Sequence, residues 1–272
     1  MQNAWSRVRA GWSERIDRAI ELSSDRAGAA EVLTFYSRIL AFQRAIHESI
    51  DGLIAVHSGD GSALRERLDL DKAAAEISAL IAIVREHGPA KLAEECAQRS
   101  SSPPVAWLSD AIQWLQDGRA KQQDATIFLS RVVLEPQAEH VAGASESLPQ
   151  TTAGNRCPIC QSLPQLAVIR PEGDGGKRLL LCALCHSEWE FRRVLCPACG
   201  EQNHEKLPRF TAEGIPALRV EACDTCLAYL KSVDMTIDGL AVPLVDEVAA
   251  APLDLWAAEH GYRKIVPNIM GF

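Results

Sequence analysis

At 272 residues, with 47% hydrophobic and 24% charged side chains, the chain is too apolar for a disordered protein and long enough for about two domains, at least one with a real core. A formal net charge of −8 excludes a protein that works by coating nucleic acid or anionic lipid, since both demand a basic field. No apolar run approaches the ~18–20 residues that cross a bilayer, so no membrane insertion is expected.

The first residues set Trp5, Val8, Trp12 and Ile16 among arginines and acids rather than in a secretory apolar core, which predicts a cytoplasmic protein. The same helical period continues through Ile20, Val32, Phe35, Tyr36, Ile39, Leu40, Ile46 and Ile50. Further helical segments are predicted over 71–87, 89–98, 104–117 and 121–134. Gly88-Pro89, Ser102-Pro103-Pro104 and Glu135-Pro136 punctuate them, as suits helix ends and first turns. Residues 1–143 therefore read as an all-α helical bundle of about five to seven helices.

Over 144–156 the period is lost, and Ser145, Ser147, Pro149, Thr151, Thr152 and Gly154 mark a linker. Short β-like runs follow, Leu166 to Ile169, Arg178 to Leu181 and Trp189 to Phe191, with a Gly173-Asp174-Gly175-Gly176 turn between the first two.

Eight of the nine cysteines fall in four Cys-x-x-Cys knuckles: Cys157/Cys160, Cys182/Cys185, Cys196/Cys199 and Cys223/Cys226. In a reducing compartment such doublets are metal ligands rather than a disulfide framework. The stretch repeats itself. Cys157-Pro158-Ile159-Cys160 is separated by 21 residues from Cys182-Ala183-Leu184-Cys185, and Cys196-Pro197-Ala198-Cys199 by 23 residues from Cys223-Asp224-Thr225-Cys226. Each unit reads as knuckle, hairpin, knuckle, strand. The first module spans 157–195 and the second 196–239; a tail over 240–272 carries a short helix around Leu253 to Glu259, ended by Gly261. The fold class is α+β multidomain: a helical bundle, two tandem rubredoxin-like or zinc-ribbon β modules, and a helical tail.

Two residues between cysteines let one tight turn present both sulfurs to a single ion, and a second knuckle completes a tetrahedron. Each module, at about 35 residues, is too small for an adequate core, so metal binding must supply folding free energy on the order of 10 kcal/mol. The repeat and the short loops favour sequential pairing, first knuckle with second and third with fourth. A cross-braced pairing is the alternative. Four thiolates suit zinc or a single rubredoxin-type iron, one ion per site, and spacing does not separate the two. A filled four-sulfur shell has no place for substrate, so no catalytic residue is assigned and the chain is not read as an enzyme.

Cys96, which follows Glu94-Glu95, reads as a partly buried helix residue, and His186 and His204 as surface or supporting groups. A zinc-ribbon nucleic-acid-binding protein is one competing reading, but ten Lys and Arg between Arg156 and Lys231 face nine Asp and Glu, without a basic stripe. A redox protein using its Cys-x-x-Cys pairs as dithiols is another, and no βαβ pattern surrounds any knuckle.

The constellation resembles the FdhE family of formate dehydrogenase accessory proteins. The carrying residues are Cys157 to Cys160 with Ser162-Leu163-Pro164, Arg178 to Cys182, Cys185 with Glu188-Trp189, and Cys196 to Gly200. Glu221 to Cys226, Tyr229-Leu230-Lys231, Gly261-Tyr262-Arg263 and Pro267-Asn268 continue the series. In the helical half the likeness rests on Arg15 to Leu22 and on Phe35 to Leu40 leading to Gln43. Gln161 departs from the glycine expected after the first knuckle. The resemblance implies a cytoplasmic maturation factor that binds the catalytic subunit of a molybdenum- or tungsten-dependent formate dehydrogenase, with rubredoxin-like, redox-sensitive iron at its cysteine sites.

Overall fold

The structure, a computed structural model, describes residues 10–50, 64–98, 104–117, 124–144 and 154–272. Trp5, Val8, the start of the helix expected from 121 and most of the expected linker lie outside the described residues.

The amino-terminal part holds helices α1 (Trp12–Asp25), α2 (Ala30–Ser49), α3 (Leu70–His87), α4 (Ala90–Ala97), α5 (Pro104–Asp117) and α6 (Ala125–Gly143). Local chemistry sets several of their ends. The Asp69 carboxylate caps α3 by accepting from Lys72 N–H at 3.0 Å, and Asp124 caps α6 by accepting from Ile127 N–H at 2.9 Å. Pro104 opens α5, where its missing N–H costs nothing. Gly88 closes α3 in a place where a Cβ would meet the Val84 carbonyl oxygen at 2.7 Å.

Helix α6 is buried along almost its whole length, with α2, α3 and α5 packed around it. It also corrects the expectation that Glu135-Pro136 ends a helix, since it runs unbroken through Pro136 to Gly143. Proline removes the N–H that would bond the carbonyl four residues earlier, that of Val132. Gln43 on α2 makes good the loss: its Nε2 donates to the Val132 carbonyl at 3.2 Å and to Glu135 Oε2 at 3.2 Å. The helix survives because a neighbour satisfies the freed acceptor.

The remaining elements are β1 (Pro164–Glu172), β2 (Gly175–Cys182), β3 (Glu188–Glu190), β4 (Arg209–Thr211), β5 (Leu218–Ala222), β6 (Ala228–Asp234), α7 (Pro243–Ala249), α8 (Ala251–Glu259) and β7 (Arg263–Lys264). Both repeats join one sheet of order β3-β2-β1-β6-β5-β4, with β7 beside β6. Within each unit the strands are antiparallel; the units meet through parallel β1 and β6, with Leu166 opposite Lys231 and Ile169 opposite Asp234. The repeat is thus laid edge to edge, head to tail, which leaves β3 and β4 as the outer strands.

One core runs from the bundle into the first module, joining Leu33, Leu80, Leu108 and Leu129 to Leu180, Leu184 and Trp189. A second packs β5 and β6 against α7 and α8 through Val220, Tyr229, Val233, Leu244 and Leu253. The tail helix ends as the sequence predicts: Gly261 takes φ +83, its N–H bonds the Ala258 carbonyl at 3.0 Å, and Tyr262 N–H bonds the Ala257 carbonyl at 2.9 Å.

Candidate metal centres

The four knuckles share one backbone design. The first cysteine's N–H is bonded by a carbonyl five residues on, in Cys157 to Ser162 at 2.9 Å, Cys182 to Ser187 at 3.0 Å, Cys196 to Glu201 at 2.9 Å and Cys223 to Ala228 at 2.9 Å. The residue after the second cysteine has a positive φ in every case: Gln161 at 62°, His186 at 53°, Gly200 at 81° and Leu227 at 56°. That turn leaves backbone donors facing sulfur, with Ile159, Leu184 and Ala198 N–H each 3.4 Å from the first Sγ of its knuckle. The turn expected to need glycine at position 161 is therefore made by glutamine, whose side chain adds a bond from Nε2 to the Cys157 carbonyl at 3.1 Å.

These turns gather the sulfurs into two quartets, Cys157, Cys160, Cys182 and Cys185, and Cys196, Cys199, Cys223 and Cys226, each with all sulfurs within 4.8 Å of one another. The grouping is sequential, not cross-braced. Metal–sulfur bonds of ~2.3 Å at tetrahedral corners place sulfurs about 3.8 Å apart. The second quartet has Cys196–Cys226 at 3.8 Å and Cys199–Cys223 at 3.7 Å, and the first has Cys157–Cys185 at 3.5 Å and Cys160–Cys182 at 3.3 Å. All exceed by far the ~2.05 Å of a disulfide. The donor set fits one zinc or one iron ion per quartet.

Electrostatics agree with that fit. Burial pushes the Cys157 and Cys182 thiols well above the ordinary thiol value and the Cys196 thiol up to about 11. Hydrogen bonds from Cys157, Cys182 and Cys185 instead hold Cys160 well below it. Packed this closely, the thiols cannot all ionise unless a cation balances them. The two quartets differ in exposure. All four cysteines of the first are at 0% exposure, whereas in the second Cys199 is exposed and Cys226 half-buried.

The first quartet is held against the bundle by buried charges. Arg131 on α6 donates to Glu135 Oε1 at 2.9 Å, to Gln165 Oε1 at 3.0 Å, to the Pro267 carbonyl at 2.8 Å and to the carbonyl of Ala183, inside the second knuckle, at 3.2 Å. One guanidinium thereby joins helix, metal knuckle and tail. His186, the residue after Cys185, lies 5% exposed with Nδ1 2.9 Å from Glu139 Oε2, so it is a buried tie rather than a surface group. Arg15 on α1 completes the set with two bonds to Glu139 at 2.7 and 2.9 Å. Burial alone would raise the Glu139 carboxyl, but Arg15 and His186 outweigh it and hold it well below the usual carboxylate range.

Comparison with known proteins finds one family along the metal-binding part of the chain. The FdhE central domain matches residues 156–193 and the FdhE C-terminal domain matches residues 194–270. Residues 156–270 thus match the two FdhE domains in succession. A protein FdhE homolog of Aquifex aeolicus is 29% identical over 255 residues, 89% of each chain. A Pseudomonas aeruginosa FdhE homolog is 36% identical over 126 residues, 44% of this chain and 41% of that one. The crystal structure of the FdhE protein from Pseudomonas aeruginosa shares the fold, with a TM-score of 0.70 over 95% of both chains at 24% identity.

Several positions that carried the FdhE likeness turn out to be buried polar ties. Lys231 and Lys264 both contact Glu247 and Asp254, and Asn268 Nδ2 donates to Glu247 Oε2 at 2.7 Å. Tyr229 donates to Asp254 Oδ1 at 2.9 Å. Burial pulls the Lys231 ammonium below its ordinary value, while for Lys264 the attraction of Glu247 and Asp254 overcomes burial and raises it. This knot clamps the tail onto β6. Sequence reasoning did not single out Arg131, Glu135 or Glu139; the available signal was a run of charges inside the otherwise apolar stretch from Ile127 to Val141. Cys96 is fully buried on α4 and belongs to neither quartet, and His204 is exposed. No described helix is long and apolar enough to cross a membrane.

Proposed function

We propose that this chain is a cytoplasmic accessory protein that binds the catalytic subunit of a formate dehydrogenase and is needed for its maturation. Cys157, Cys160, Cys182 and Cys185 hold one ion and Cys196, Cys199, Cys223 and Cys226 a second. The observation that carries this reading is a pair of complete four-sulfur quartets, filled by protein donors alone, within residues that match the FdhE central and C-terminal domains. Filled shells stabilise folds and, with iron, pass single electrons; they do not bind and activate a substrate. The chain therefore acts by docking, not by turnover. Its two modules, 157–195 and 196–239, are the metal-dependent parts, and 1–143 is the platform. Neutral charge balance across the modules supports a protein partner over nucleic acid.

Cells that make a formate dehydrogenase but lack this chain should accumulate its catalytic subunit in inactive form, and the purified chain should retain that subunit on a column. Full formate-oxidising activity in such cells would refute the maturation role. Anaerobic purification with elemental analysis should give two equivalents of metal, with thiolate-to-iron absorption bands if the ion is iron. Ser replacement of both cysteines of one knuckle should remove one equivalent.

A further inference from the structure

The head-to-tail sheet leaves the two repeats in different situations. In the first, the outer edge of β1 is covered by β6 in parallel register. In the second, the corresponding strand is β4, and its outer edge has no partner among the described strands. The correspondence is visible in the chain: Leu163-Pro164-Gln165-Leu166 leads into β1 and Leu207-Pro208-Arg209-Phe210 into β4. Phe210 thus stands where Leu166, the residue that pairs with Lys231, stands in the first repeat.

The edge is armed for pairing. Ala222 N–H bonds the Pro208 carbonyl at 3.0 Å, so the alternation of an antiparallel ladder turns the N–H and C=O of Arg209 and Thr211 away from β5. Beside this edge runs a groove of about 700 Å³ between β4, the α1–α2 joint and α8, with Phe210, Ile215, Leu253 and Trp256 along its wall. That size takes several side chains. Phe210 and Trp256 lie 4.5 Å apart, ring centre to ring centre, and neither is fully covered. Arg26, Arg209 and Glu213 line the groove as well; neither arginine forms an ion pair with a carboxylate among the described residues, and Arg209 Nη2 donates to the Arg193 carbonyl at 3.2 Å.

We propose that the open edge of β4 takes up an extended segment of the partner protein as an added strand, parallel to β4 as β6 is to β1. Its alternate apolar side chains enter the groove along the wall that Phe210 and Trp256 form, and its acidic side chains meet Arg26 and Arg209. Strand addition supplies backbone hydrogen bonds and the groove supplies selectivity. The charge match fixes the occupant's chemistry: two guanidinium groups against the single Glu213 carboxylate, beside aromatic rings, select a carboxylate-bearing, apolar strand over a basic one. This deepens the docking reading above and rests on it for the identity of the partner.

The test uses the full, metal-loaded chain and two variants. Thr211→Pro deletes the outward N–H of an edge strand, a position that tolerates proline, and leaves the groove in place. The double change Arg26→Glu and Arg209→Glu reverses the charge and leaves the edge. A random peptide display library should yield segments alternating apolar and acidic residues, bound at least tenfold more weakly by either variant, with the charge-reversed chain selecting basic segments instead. The formate dehydrogenase catalytic subunit should lose affinity in the same order, with metal content unchanged in both variants. Wild-type affinity for the subunit in both variants overturns the edge as the docking surface. Selected peptides without acidic residues overturn the charge match, and a dimer that Thr211→Pro dissociates gives the edge to a second copy of this chain instead. If peptides obey the groove but the unaltered chain does not bind the subunit, the maturation reading fails and the edge site stands.

Discussion

At the scale of single residues, the knuckles show which geometry is obligatory and which side chain is not. Leu227 sits at φ 56° and is 47% exposed, so it bears the strain of a left-handed backbone with only partial packing in return. A Cβ in that region costs roughly 1–2 kcal/mol, and glycine's extra freedom in the unfolded chain gives back about 0.5–1. Leu227→Gly should therefore stabilise the protein by about 0.5–1 kcal/mol in chemical denaturation at fixed metal concentration. Gly200→Ala, at φ 81° and with open space around the added Cβ, should cost about 1 kcal/mol by the same argument run backwards. A Leu227→Gly chain less stable than its parent would defeat this account. The eight sulfurs were legible because knuckle spacing is local and metal geometry is strict. The glycine expected at 161 was not required, because Gln161 offsets the strain with its own bond to the Cys157 carbonyl. The supporting charges were hidden for the opposite reason: Arg15, Glu139 and His186 are far apart in sequence, and only the fold brings them together.

At the scale of elements, α6 sets the arrangement of everything amino-terminal, and its passage through Pro136 depends on another helix. The Val132 carbonyl freed by proline has Gln43 as its donor from across the bundle. Gln43→Met keeps the volume and deletes the donor, leaving a buried acceptor unsatisfied at a cost of about 1–3 kcal/mol. Pro136→Ala restores a helical N–H to the same carbonyl. The double variant should thus be more stable than the sum of the two single effects predicts, with a coupling of about 1 kcal/mol or more in a double-mutant cycle. Strict additivity would show that the two residues do not share that acceptor. Helix positions elsewhere were readable from apolar period and punctuation, as α3 (Leu70–His87) and α5 (Pro104–Asp117) illustrate against the expected 71–87 and 104–117. Proline at 136 read as a stop because Gln43, which cancels its effect, sits 89 residues from the Val132 carbonyl that it satisfies. The joining of both modules into one sheet escaped for a related reason: β1 and β6 belong to different repeats, and parallel pairing between them leaves no mark on either strand's own pattern.

At the scale of the whole molecule, the two quartets are alike in donors and unlike in surroundings. The first is sealed between bundle and sheet, inside the core that runs from Leu129 to Leu184, and Arg65 Nε adds a bond to the Cys160 carbonyl at 3.2 Å. An ion there can leave only if the bundle parts from the sheet, an opening that exposes much of the larger core. The second lies at the surface with Cys199 exposed, so a local movement of the 196–199 turn is enough. Local openings are far less costly than openings that breach a core, and exchange follows the cheaper route. A strong chelator should therefore remove the two equivalents in separate phases, the first at least tenfold faster, with helical far-UV signal unchanged until the second. Cys199→Ser should abolish the fast phase and Cys160→Ser the slow one. Release in a single phase, or a fast phase that survives Cys199→Ser, would mean that exposure does not govern lability. The difference also suits the two centres to distinct parts: an ion in the sealed quartet would lock the modules onto the helical platform, and an ion in the exposed quartet, which precedes β4 in the chain, would be the one whose loss reaches the open edge of the sheet.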